Sequence, residues 1–488
     1  TDGDCTTSIR AHPLHAWLLK AKAPGSPVCK WLWEGAPAGV EADFNALDGL
    51  FTRVHGGERK IEPDDLATDF DTFVNYAGVE YDNDVAVVLD KYTKAGFLKR
   101  LRTLDEVKRF VKGNPVLTKV GAVKKPKPQP DGTYKTKTRI IVDSKESGGN
   151  DAAMRTHKSQ LPLATSTIKG MLGLMSPEHW VPGEEVDELD CGIEALITDF
   201  SDAFFIVPLK VCERKYFVIR YRGFYYVFVR TAQGSRGAPL SWAAVASLIG
   251  RCAQSVFVNG ETQCGRLQIY VDDPLLAVRG SKRQRRKLAA RFVVVMIVLG
   301  LRLAFDKAQF GSDVVWIGVR IKISKLLVVA TIPAEKNREL LELVVSCQRA
   351  NVISHKDLRS LAGKASNVAT VLFAWRPFLS CFWAALSSPE SGAPKNCGWR
   401  KQIDPSLTWL RAFLEYQSGP IVREFRYDSD FGDGTMLEIT CDASVYGLGS
   451  WLSLSGKPLA WFSDDIQDFD TQALGFSVGD PSAQQTFE

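Results

Sequence analysis

The stretch LQIYVDDPLLAV, residues 267–278, decides the fold because two short apolar runs meet there at a pair of adjacent carboxylates. Runs of this length, rich in aliphatic residues, are typical of strands in a buried sheet. Asp272, Asp273 and Pro274 stand at the junction. Carboxylates are rarely placed so deep in apolar surroundings unless a cation neutralises them. Taken alone, an acidic pair of this kind is more often a plain polar hairpin turn, so its meaning depends on the rest of the chain.

A second acidic position supplies that context. The segment ALITDFSDAFFIVPL, residues 195–209, predicts an apolar strand that ends near Asp199, followed by a short turn. Converging aspartates repel one another and raise each other's pKa values, and Mg²⁺ removes this cost because it binds hard oxygen ligands. Side chains alternate along a strand, so only one aspartate of the pair can directly face Asp199. We predict Asp272 as the metal ligand and Asp273 as a weaker or indirect one.

The neighbouring patterns predict an α/β core over residues 190–330. Its further elements are a hairpin around Arg222-Gly223, a Gly-rich loop before a helix near Pro239, a basic helix over 281–300 that Gly300 ends, and one more strand over 314–323. Upstream, residues 124–145 are cationic and rich in proline, with a turn signal at Asp131-Gly132 and an alternating strand over 138–142. We expect a mobile, cationic finger hairpin there rather than a core element.

Length and composition bound the possible classes of protein. The chain has 488 residues, 61 Lys and Arg against 56 Asp and Glu, a net charge of +5, and 45% hydrophobic residues. These values predict two to four domains and exclude wholesale disorder, a collagen-like repeat or a coiled coil. No apolar run is long enough to span a bilayer. The 10 cysteines form no CxxC pair, and we expect reduced thiols in an intracellular compartment, cytoplasmic or nuclear.

Five further stretches accompany YVDD in a fixed order along the chain. They are KTRIIVDS (137–144), TDFSDAFFIVPL (198–209), AQGSRGAP (232–239), FDKAQF (305–310) and VVWIGVRI (314–321). Together the six motifs resemble those of reverse transcriptases of the retroelement type, and the resemblance covers roughly residues 85–460. It implies an RNA-directed DNA polymerase of a mobile element, with an α+β right-hand fold of fingers, palm and thumb and an antiparallel palm sheet.

The resemblance also implies a role for each matching residue. Asp199, Asp272 and Asp273 would be catalytic and bind metal; Arg139, Asp202, Phe204, Gln233, Gly234 and Lys307 would contact the nucleotide or template; Trp316 and Gly318 would form the primer grip. Phe204 would exclude the 2′-hydroxyl of a ribonucleotide, although a plain core phenylalanine is the alternative. The implied partners are an RNA or DNA template, a primer strand and dNTPs, and the implied cofactor is a pair of Mg²⁺ ions, with Mn²⁺ possible.

The chemistry of phosphoryl transfer is consistent with these residue types. It requires an activated 3′-hydroxyl, a neutralised triphosphate and in-line geometry, which two divalent cations held by carboxylates supply. Arg139 can add a bidentate contact to the triphosphate from the finger hairpin. Either Lys125 or Lys127 could assist it, because the spacing of the prolines departs from the family pattern. A solvated loop remains the alternative for this basic stretch.

The C-terminal stretch LEITCDASVYGLGS, residues 437–450, resembles the opening of a retroelement ribonuclease H domain. Asp442 matches the first metal ligand of that family, and Glu488 is a plausible second one. The family uses four acidic ligands, and the acidic run over 464–470 fits a solvated loop better than the missing positions. We therefore expect no ribonuclease H cleavage by this chain, and we expect the chain to be an excerpt of a longer retroelement polyprotein.

The predicted organisation follows from these resemblances. It is a leader of unknown role over 1–85, fingers and palm over 86–330, thumb-like helices over 331–390, a connection over 391–435 and an incomplete ribonuclease H-like α/β segment over 436–488. The charges of the basic helix surround much of its circumference, so a solvated face is at least as good an explanation as contact with phosphates.

Two other functions stay open at this point. An RNA-directed RNA polymerase shares the palm, but Phe204 and YVDD are atypical of that class. A catalytically retired RNA-binding scaffold would keep the palm shape, but it would have no reason to keep buried Asp199, Asp272 and Asp273. Pro274 directly after the aspartates is the feature that favours the scaffold, because it removes a backbone donor.

Overall fold

The computed structural model describes residues 7–128, 133–175, 191–259, 262–387, 392–432, 435–475 and 477–480. The chain divides into two compact units, Thr1–Phe425 and Arg426–Glu488. The predicted leader is therefore not a unit of its own. In the described part of the chain, no helix is long and apolar enough to cross a membrane.

The α-helices of the described residues are numbered in chain order. They are α1 (Ala11–Lys20), α2 (Trp31–Glu34), α3 (Asn83–Lys94), α4 (Leu104–Val111), α5 (Gly149–Ala152), α6 (Ala164–Leu174), α7 (Ala203–Ile206), α8 (Ala238–Ser255), α9 (Lys282–Val298), α10 (Ala334–Arg349), α11 (His355–Val368), α12 (Leu379–Ser387), α13 (Asp404–Leu414), α14 (Tyr427–Phe431) and α15 (Asp468–Leu474).

The strands are numbered in the same way. They are β1 (Thr52–Arg53), β2 (Leu98–Leu101), β3 (Val120–Pro128), β4 (Tyr134–Val142), β5 (His157–Lys158), β6 (Ile193–Phe200), β7 (Val218–Tyr221), β8 (Phe224–Phe228), β9 (Val258–Asn259), β10 (Thr262–Gln263), β11 (Gly265–Tyr270), β12 (Asp273–Arg279), β13 (Leu303–Gly311), β14 (Asp313–Trp316), β15 (Val319–Ser324), β16 (Leu327–Thr331), β17 (Val352–Ser354), β18 (Cys397–Trp399), β19 (Val422–Arg426), β20 (Leu437–Ala443), β21 (Gly447–Leu454) and β22 (Lys457–Asp465).

An antiparallel sheet of order β11-β12-β6-β13 forms the centre of the first unit. Leu196, Leu276 and Val278 on one face of this sheet share a buried core with the inner sides of α8 and α9. Because side chains alternate along β6, Asp199 projects from the opposite face. The sheet therefore separates a helix-covered face from the face that carries this carboxylate. The mixture of helices with antiparallel sheets agrees with the predicted α+β class.

The residues before 86 pack against this core. Leu14, Leu18, Trp31 and Phe44 are buried in the same cluster as α8 and α9. The Arg10 N–H donates to the carbonyl of Leu299 at 2.9 Å, which joins the start of α1 to the end of α9. The apolar anchors of the sequence before α3 thus have long-range partners rather than a local repeat.

The finger hairpin forms as predicted, with β3 and β4 paired from Val120↔Val142 to Pro128↔Tyr134. The predicted turn at Asp131-Gly132 lies outside the described residues. The hairpin is not separate from the core, however, because Val120, Ile140 and Val142 are buried in a second cluster with β7 and β8. The expectation of a finger outside the core was therefore wrong for its base, where the strand alternation supplies an apolar face.

Two other predicted turns differ in outcome. The hairpin around Arg222-Gly223 is confirmed, and both residues have positive φ (48° and 72°), as a tight two-residue hairpin turn requires. The single strand predicted over 314–323 is instead a hairpin of β14 and β15, with Ile317 and Gly318 in its turn. Both of these residues also have positive φ (42° and 85°), and the β-branched Ile317 disguises the turn in the sequence.

Helices α10 to α12 lie within 331–390, where thumb-like helices were expected, and α13 lies in the predicted connection. Trp375 is fully buried among them and stacks on Phe378 at 5.3 Å between ring centroids. Asn367 of α11 donates to the carbonyl of Ile317 at 2.7 Å. The helices are thereby tied to the turn between β14 and β15.

The second unit contains the antiparallel sheet β20-β21-β22. Ile439, Leu452 and Ala460 are paired across the three strands and so share one face. Asp442 pairs with Gly449 on the other face.

Glu213 is a buried carboxylate that organises the segment after α2. Its Oε1 atom accepts backbone N–H groups of Ala38, Gly39 and Ala42 at 3.0–3.1 Å. Burial raises the pKa of this carboxyl, and the backbone donors partly oppose that shift. Glu213 thus satisfies several amides that would otherwise be buried without an acceptor.

We predict that Glu213→Ala lowers the free energy of unfolding by about 3 kcal/mol, roughly 1 kcal/mol for each amide that loses its acceptor. Glu213→Gln is the matched control, since it keeps one carbonyl oxygen for the same donors and removes the buried charge. Urea unfolding followed by tryptophan fluorescence measures both. Equal losses in the two variants would show that the three hydrogen bonds are not what Glu213 contributes.

Candidate active site

The turn between β11 and β12 carries the acidic pair. Tyr270 and Asp273 face each other as the last pair of the hairpin, so Val271 and Asp272 form a two-residue turn. Val271 has a φ of 53°, in the left-handed region that β-branched residues rarely enter. Such a conformation persists only where the surroundings over-determine it, and it is common at functional sites.

Three donors from three different elements hold this turn. The indole Nε1–H of Trp242 in α8 donates to the carbonyl of Val271 at 2.7 Å. The backbone N–H of Phe200 in β6 donates to the carbonyl of Asp272 at 2.8 Å. The indole Nε1–H of Trp316 in β14 donates to the carbonyl of Asp273 at 3.1 Å. Each of the three successive carbonyls therefore has a partner, and we call this set of hydrogen bonds the turn clamp.

The two tryptophans of the turn clamp are buried, with 0% and 1% of their surface exposed. Trp242 packs edge-on against Phe200 at 5.6 Å, and Trp316 against Tyr270 at 6.3 Å. Sequence reasoning missed Trp242 altogether. Its one signal was a tryptophan early in an apolar helix, since a buried indole N–H usually needs an acceptor.

The three aspartates influence one another across the sheet. Burial is the main cause that raises the pKa of Asp272, and the charge of Asp199 adds to it. Burial raises the pKa of Asp273 to about 6, with further contributions from Asp272 and Asp199. The expectation that strand alternation would separate the pair was wrong in its premise, because the turn interrupts the strand between them. The charge of Asp199 raises the pKa of both members of the pair.

Lys307 lies beside these carboxylates. Strand β13 is irregular opposite Thr198, because Ala304 pairs with Asp199 while Gln309 pairs with Ile197. The extra residues bring the Nζ of Lys307 to 3.6 Å from Oδ2 of Asp199. The lysine side chain is 59% exposed, so it can also reach a ligand at the mouth of the site.

The donor chemistry fits a hard divalent cation. Carboxylate oxygens are its preferred ligands, and a cation would offset both the burial and the mutual repulsion of Asp199, Asp272 and Asp273. Over the described ranges, no three Asp, Glu, His or Cys side chains form a ready-made metal-binding group.

Arg139 and Asp202 both lie close enough to Tyr92 of α3 to influence its ionisation. Both charges affect the pKa of Tyr92 in α3, which burial raises and Asp202 raises further, while Arg139 lowers it. Arg139 also lowers the pKa of Asp272. Asp202 has a left-handed φ of 58° directly after β6. The structure therefore brings Arg139 of the finger hairpin within electrostatic reach of the acidic turn.

The Gln233-Gly234 loop is fixed against the end of β4. Gly234 has a φ of 101°, and a Cβ atom there would lie 2.6 Å from the carbonyl oxygen of Val142. Asn150 donates to the carbonyl of Gly234 at 2.9 Å and accepts the N–H of Arg236 at 2.7 Å. Glycine is required by this close approach, and Asn150 is a positioning residue that the sequence did not reveal.

Phe204 is less buried than its neighbour Phe205. Phe205 is buried and stacks on Phe97 at 4.9 Å, so it belongs to the core. Phe204 in α7 is only half-buried, and its carbonyl accepts the hydroxyl of Thr231 at 2.5 Å. Its side chain packs against the core cluster of α8 and α9 and keeps part of its surface exposed.

A groove of about 690 Å³ runs beside the acidic turn. It lies between α8, β11 and the loop over 159–162, and its lining includes Pro239, Trp242 and Val271. The Gly-rich loop before α8 was predicted to contact the template. The groove begins at Pro239 in the first turn of α8, just after that loop, and reaches Trp242 and Val271 of the turn clamp.

The remaining predicted residues have less specific surroundings. Trp316 is buried, and Gly318 lies in the turn that follows it. Lys125 is exposed and faces Lys137 across the finger hairpin, while the side chain of Lys127 lies outside the described set. In the second unit Asp442 is exposed and its Oδ1 accepts the N–H of Ala443 at 3.0 Å. Glu488 lies outside the described residues.

No protein-family model matches the chain, and no curated protein matches its sequence. The solved structures that are similar to the chain include three of foamy viral protease-reverse transcriptase. One, denoted dRH and in complex with double-stranded DNA, has a TM-score of 0.46 and 15% identity over 86% of this chain and 64% of that chain. Another, with an RNA/DNA hybrid, has a TM-score of 0.45 and 15% identity over 87% and 49%. The third, with dsDNA, has a TM-score of 0.43 and 16% identity over 91% and 77%.

The chain thus spans less than two thirds of the length of the first two neighbours. Similarity at this level does not establish a shared activity. What the site can do must be judged from its own residues.

We predict that Trp242→Phe lowers the free energy of unfolding by about 1–3 kcal/mol beyond the loss of ring volume, because the carbonyl of Val271 then stays buried without a donor. Trp375→Phe is the matched control, since Trp375 is equally buried and its Nε1 has no hydrogen-bond partner among the described residues. Chemical denaturation of both variants gives the difference. Equal losses would mean that the hydrogen bond to Val271 is not important for stability.

Proposed function

We propose that the chain is an RNA-directed DNA polymerase that adds dNTPs to the 3′-hydroxyl of a primer. The observation that carries the proposal is the convergence of Asp199, Asp272 and Asp273 from two adjacent strands at a turn that buried donors hold in place. Half-buried carboxylates, of which Asp272 and Asp273 have raised pKa values, are costly to the fold, and cation-assisted phosphoryl transfer is a chemistry that makes use of them.

Asp199 and Asp272 would hold two divalent cations, Mg²⁺ or Mn²⁺, with Asp273 beside them as a weaker ligand. When bound, the cations would supply activation of the 3′-hydroxyl and neutralisation of the leaving pyrophosphate. Two carboxylates alone are expected to bind a divalent cation weakly. This is consistent with further cation ligands that the nucleotide phosphates would bring.

The other residues would bind and orient the substrates. Arg139 offers a planar fork for the triphosphate from the finger hairpin. Lys307, now at 3.6 Å from Asp199, would turn to a phosphate when cations take over the neutralisation of that carboxylate. The fixed Gln233-Gly234 loop would support the template beside the groove along α8, and Asp202 would orient the nucleotide near its sugar.

Phe204 would select the sugar. An aromatic ring under the ribose leaves no volume for a 2′-hydroxyl, so deoxynucleotides are favoured. The half-buried position of Phe204, in contrast to the core position of Phe205, supports this role.

The wider assignments rest on the motif resemblance. Residues 331–390 would form the thumb and contact a primer–template duplex through its backbone, and the chain would belong to a mobile element. The second unit would be the beginning of a ribonuclease H-like segment, for which Asp442 is the described ligand. Ribonuclease H cleavage is not part of the proposal for this chain.

We predict that Mg²⁺ stabilises the protein at neutral pH and not in acid. The raised pKa of Asp273, about 6, means that its neutral form stabilises the fold. This contribution is complete below about pH 4 and is lost as the pH rises through 6. A bound cation offsets the loss, so we expect Mg²⁺ to raise the Tm by about 1–2 °C above pH 7 and to have no effect below pH 5.

The same Tm measurements at equal ionic strength with Na⁺ control for screening. Asp272→Asn should remove the Mg²⁺ response and, without cations, should raise the Tm at neutral pH because one buried charge is gone. A Mg²⁺ response that survives in Asp272→Asn would remove this residue from the cation site.

The activity itself is tested by primer extension. We expect the purified chain to extend a DNA primer on an RNA template with Mg²⁺ and dNTPs, and rNTPs to be used at least about tenfold more slowly, since exclusion of the 2′-hydroxyl costs the competitor more than about 1.4 kcal/mol. Asp272→Asn should reduce extension by about 10³-fold or more because it removes a ligand of the cations that would stabilise the transition state.

Phe204→Ala separates the sugar gate from the polymerase. It should narrow the preference for dNTPs over rNTPs while leaving extension with dNTPs within about tenfold of the parent rate. Equal use of rNTPs by the parent chain would instead favour an RNA-directed RNA polymerase. Absence of any extension together with tight RNA binding would favour the scaffold.

A further inference from the structure

Helix α9 has two unlike faces. Its inner face packs Leu288, Phe292, Val295 and Met296 into the core beneath the sheet. Arg285 also points inward, and its Nε donates to Oε2 of Glu194 at 2.7 Å. The other cationic side chains of the first turns lie on the outward side of the helix.

The outward side of the first two turns and a half is a cationic face. An open groove of about 550 Å³ is lined by Lys282, Arg283, Arg286 and Lys287 together with Ala290. All four cationic residues are exposed, and within the part of the chain that the structure describes none of them forms an ion pair. The helix itself contains no acidic residue. The charges do lie on both sides of the helix, as expected, but the inward charge of Arg285 belongs to a buried ion pair, so only the outward cations are open to solvent.

These cations do not serve the helix. The N-terminal end of a helix carries the positive end of the macrodipole, which disfavours lysine and arginine there. Lys282 and Arg286, like Arg283 and Lys287, are also like charges four positions apart, and such pairs destabilise a helix. The cationic face therefore opposes local stability, and an external anion would relieve the repulsion.

The position of α9 separates this face from the proposed catalytic cleft. Leu288 and Phe292 lie under the sheet face that carries Leu196 and Leu276, whereas Asp199 projects from the other face. A primer terminus at the aspartates cannot touch the outward side of α9. Any nucleic acid bound there is a different stretch of strand.

We propose that the cationic face of α9 binds the phosphate backbone of single-stranded nucleic acid, outside the polymerase cleft. Paired cations on successive turns offer a row of phosphate contacts without base recognition, so binding should be independent of sequence and sensitive to salt. The last turns of the same side carry exposed Val294, Ile297 and Val298, which have no use in phosphate contacts. Substituting one of these apolar residues tests whether the partner of this side is instead a lipid or a protein.

The test is the salt dependence of binding to fluorescently labelled single-stranded RNA, measured by anisotropy on the full chain. In one variant Lys282, Arg283, Arg286 and Lys287 are all changed to Gln, whose helix propensity is similar. We expect the slope of log K against log salt to become shallower by about 2–3, roughly 0.7 for each lost phosphate contact, and affinity to fall on the order of tenfold. Arg283→Gln with Lys287→Gln alone should give about half of the slope change.

Two controls separate this face from charge in general and from its apolar end. Lys20, Lys91, Lys94 and Lys401 are exposed on other elements, and changing these four to Gln removes the same net charge. That variant and Ile297→Ser should both keep the parent slope. An equal loss in either of them, or an unchanged slope in the α9 variant, would overturn the proposal.

A lipid partner is tested in parallel with vesicles containing phosphatidylserine. Loss of vesicle binding in the α9 variant, with RNA binding intact, would assign the face to membranes and overturn the proposal. RNA binding is read without nucleotides or catalysis. It therefore stays informative if primer extension is absent, and the failure of one proposal is distinguishable from the failure of the other.

Discussion

Three buried hydrogen-bond donors hold the turn between β11 and β12 in a backbone conformation that Val271 alone would disfavour. A left-handed β-branched residue costs on the order of 1–3 kcal/mol, and the aspartates that follow it add the cost of burial and repulsion. The turn clamp offsets the backbone strain and the cost of the aspartates, and its donors come from three separate elements, α8, β6 and β14. The position of the acidic pair is therefore a property of the whole first unit rather than of the hairpin.

This dependence explains why the neighbouring elements are built as they are. Helix α8 must present Trp242 to the turn, and the fixed loop before α8 determines where that helix begins. The end of strand β6 supplies both the backbone N–H of Phe200, which donates to the turn, and the carboxylate of Asp199. The irregularity in β13 then brings Lys307 to the carboxylate of Asp199, which accepts no backbone N–H from the described residues. Structural stability and the proposed chemistry thus share the same contacts.

Local signals in the sequence predicted the elements well and their long-range partners poorly. The acidic hairpin, the strand ending at Asp199 and the helix ended by Gly300 each have a pattern within a few residues, and all three are present. Asn150 and Trp242 act through partners far away in the chain, which periodicity cannot reveal. The alternation argument for the aspartates failed for a related reason, since it assumed a continuous strand where a two-residue turn intervenes. The roles assigned to the site residues from the motifs remain proposals.

The small net charge of +5 conceals a separation of charge across the central sheet. Carboxylates gather on one face, and the cations of α9 lie exposed beyond the helices on the other. A polyanion approaching the molecule is repelled by bare aspartates and attracted by unpaired cations, so the cleft has to provide its own positive charges locally. Arg139 and Lys307 are placed where they can do so. The cations of α9 lie on the other side of the sheet and cannot substitute for Arg139 and Lys307. The cleft and the cationic face of α9 are therefore two separate basic surfaces.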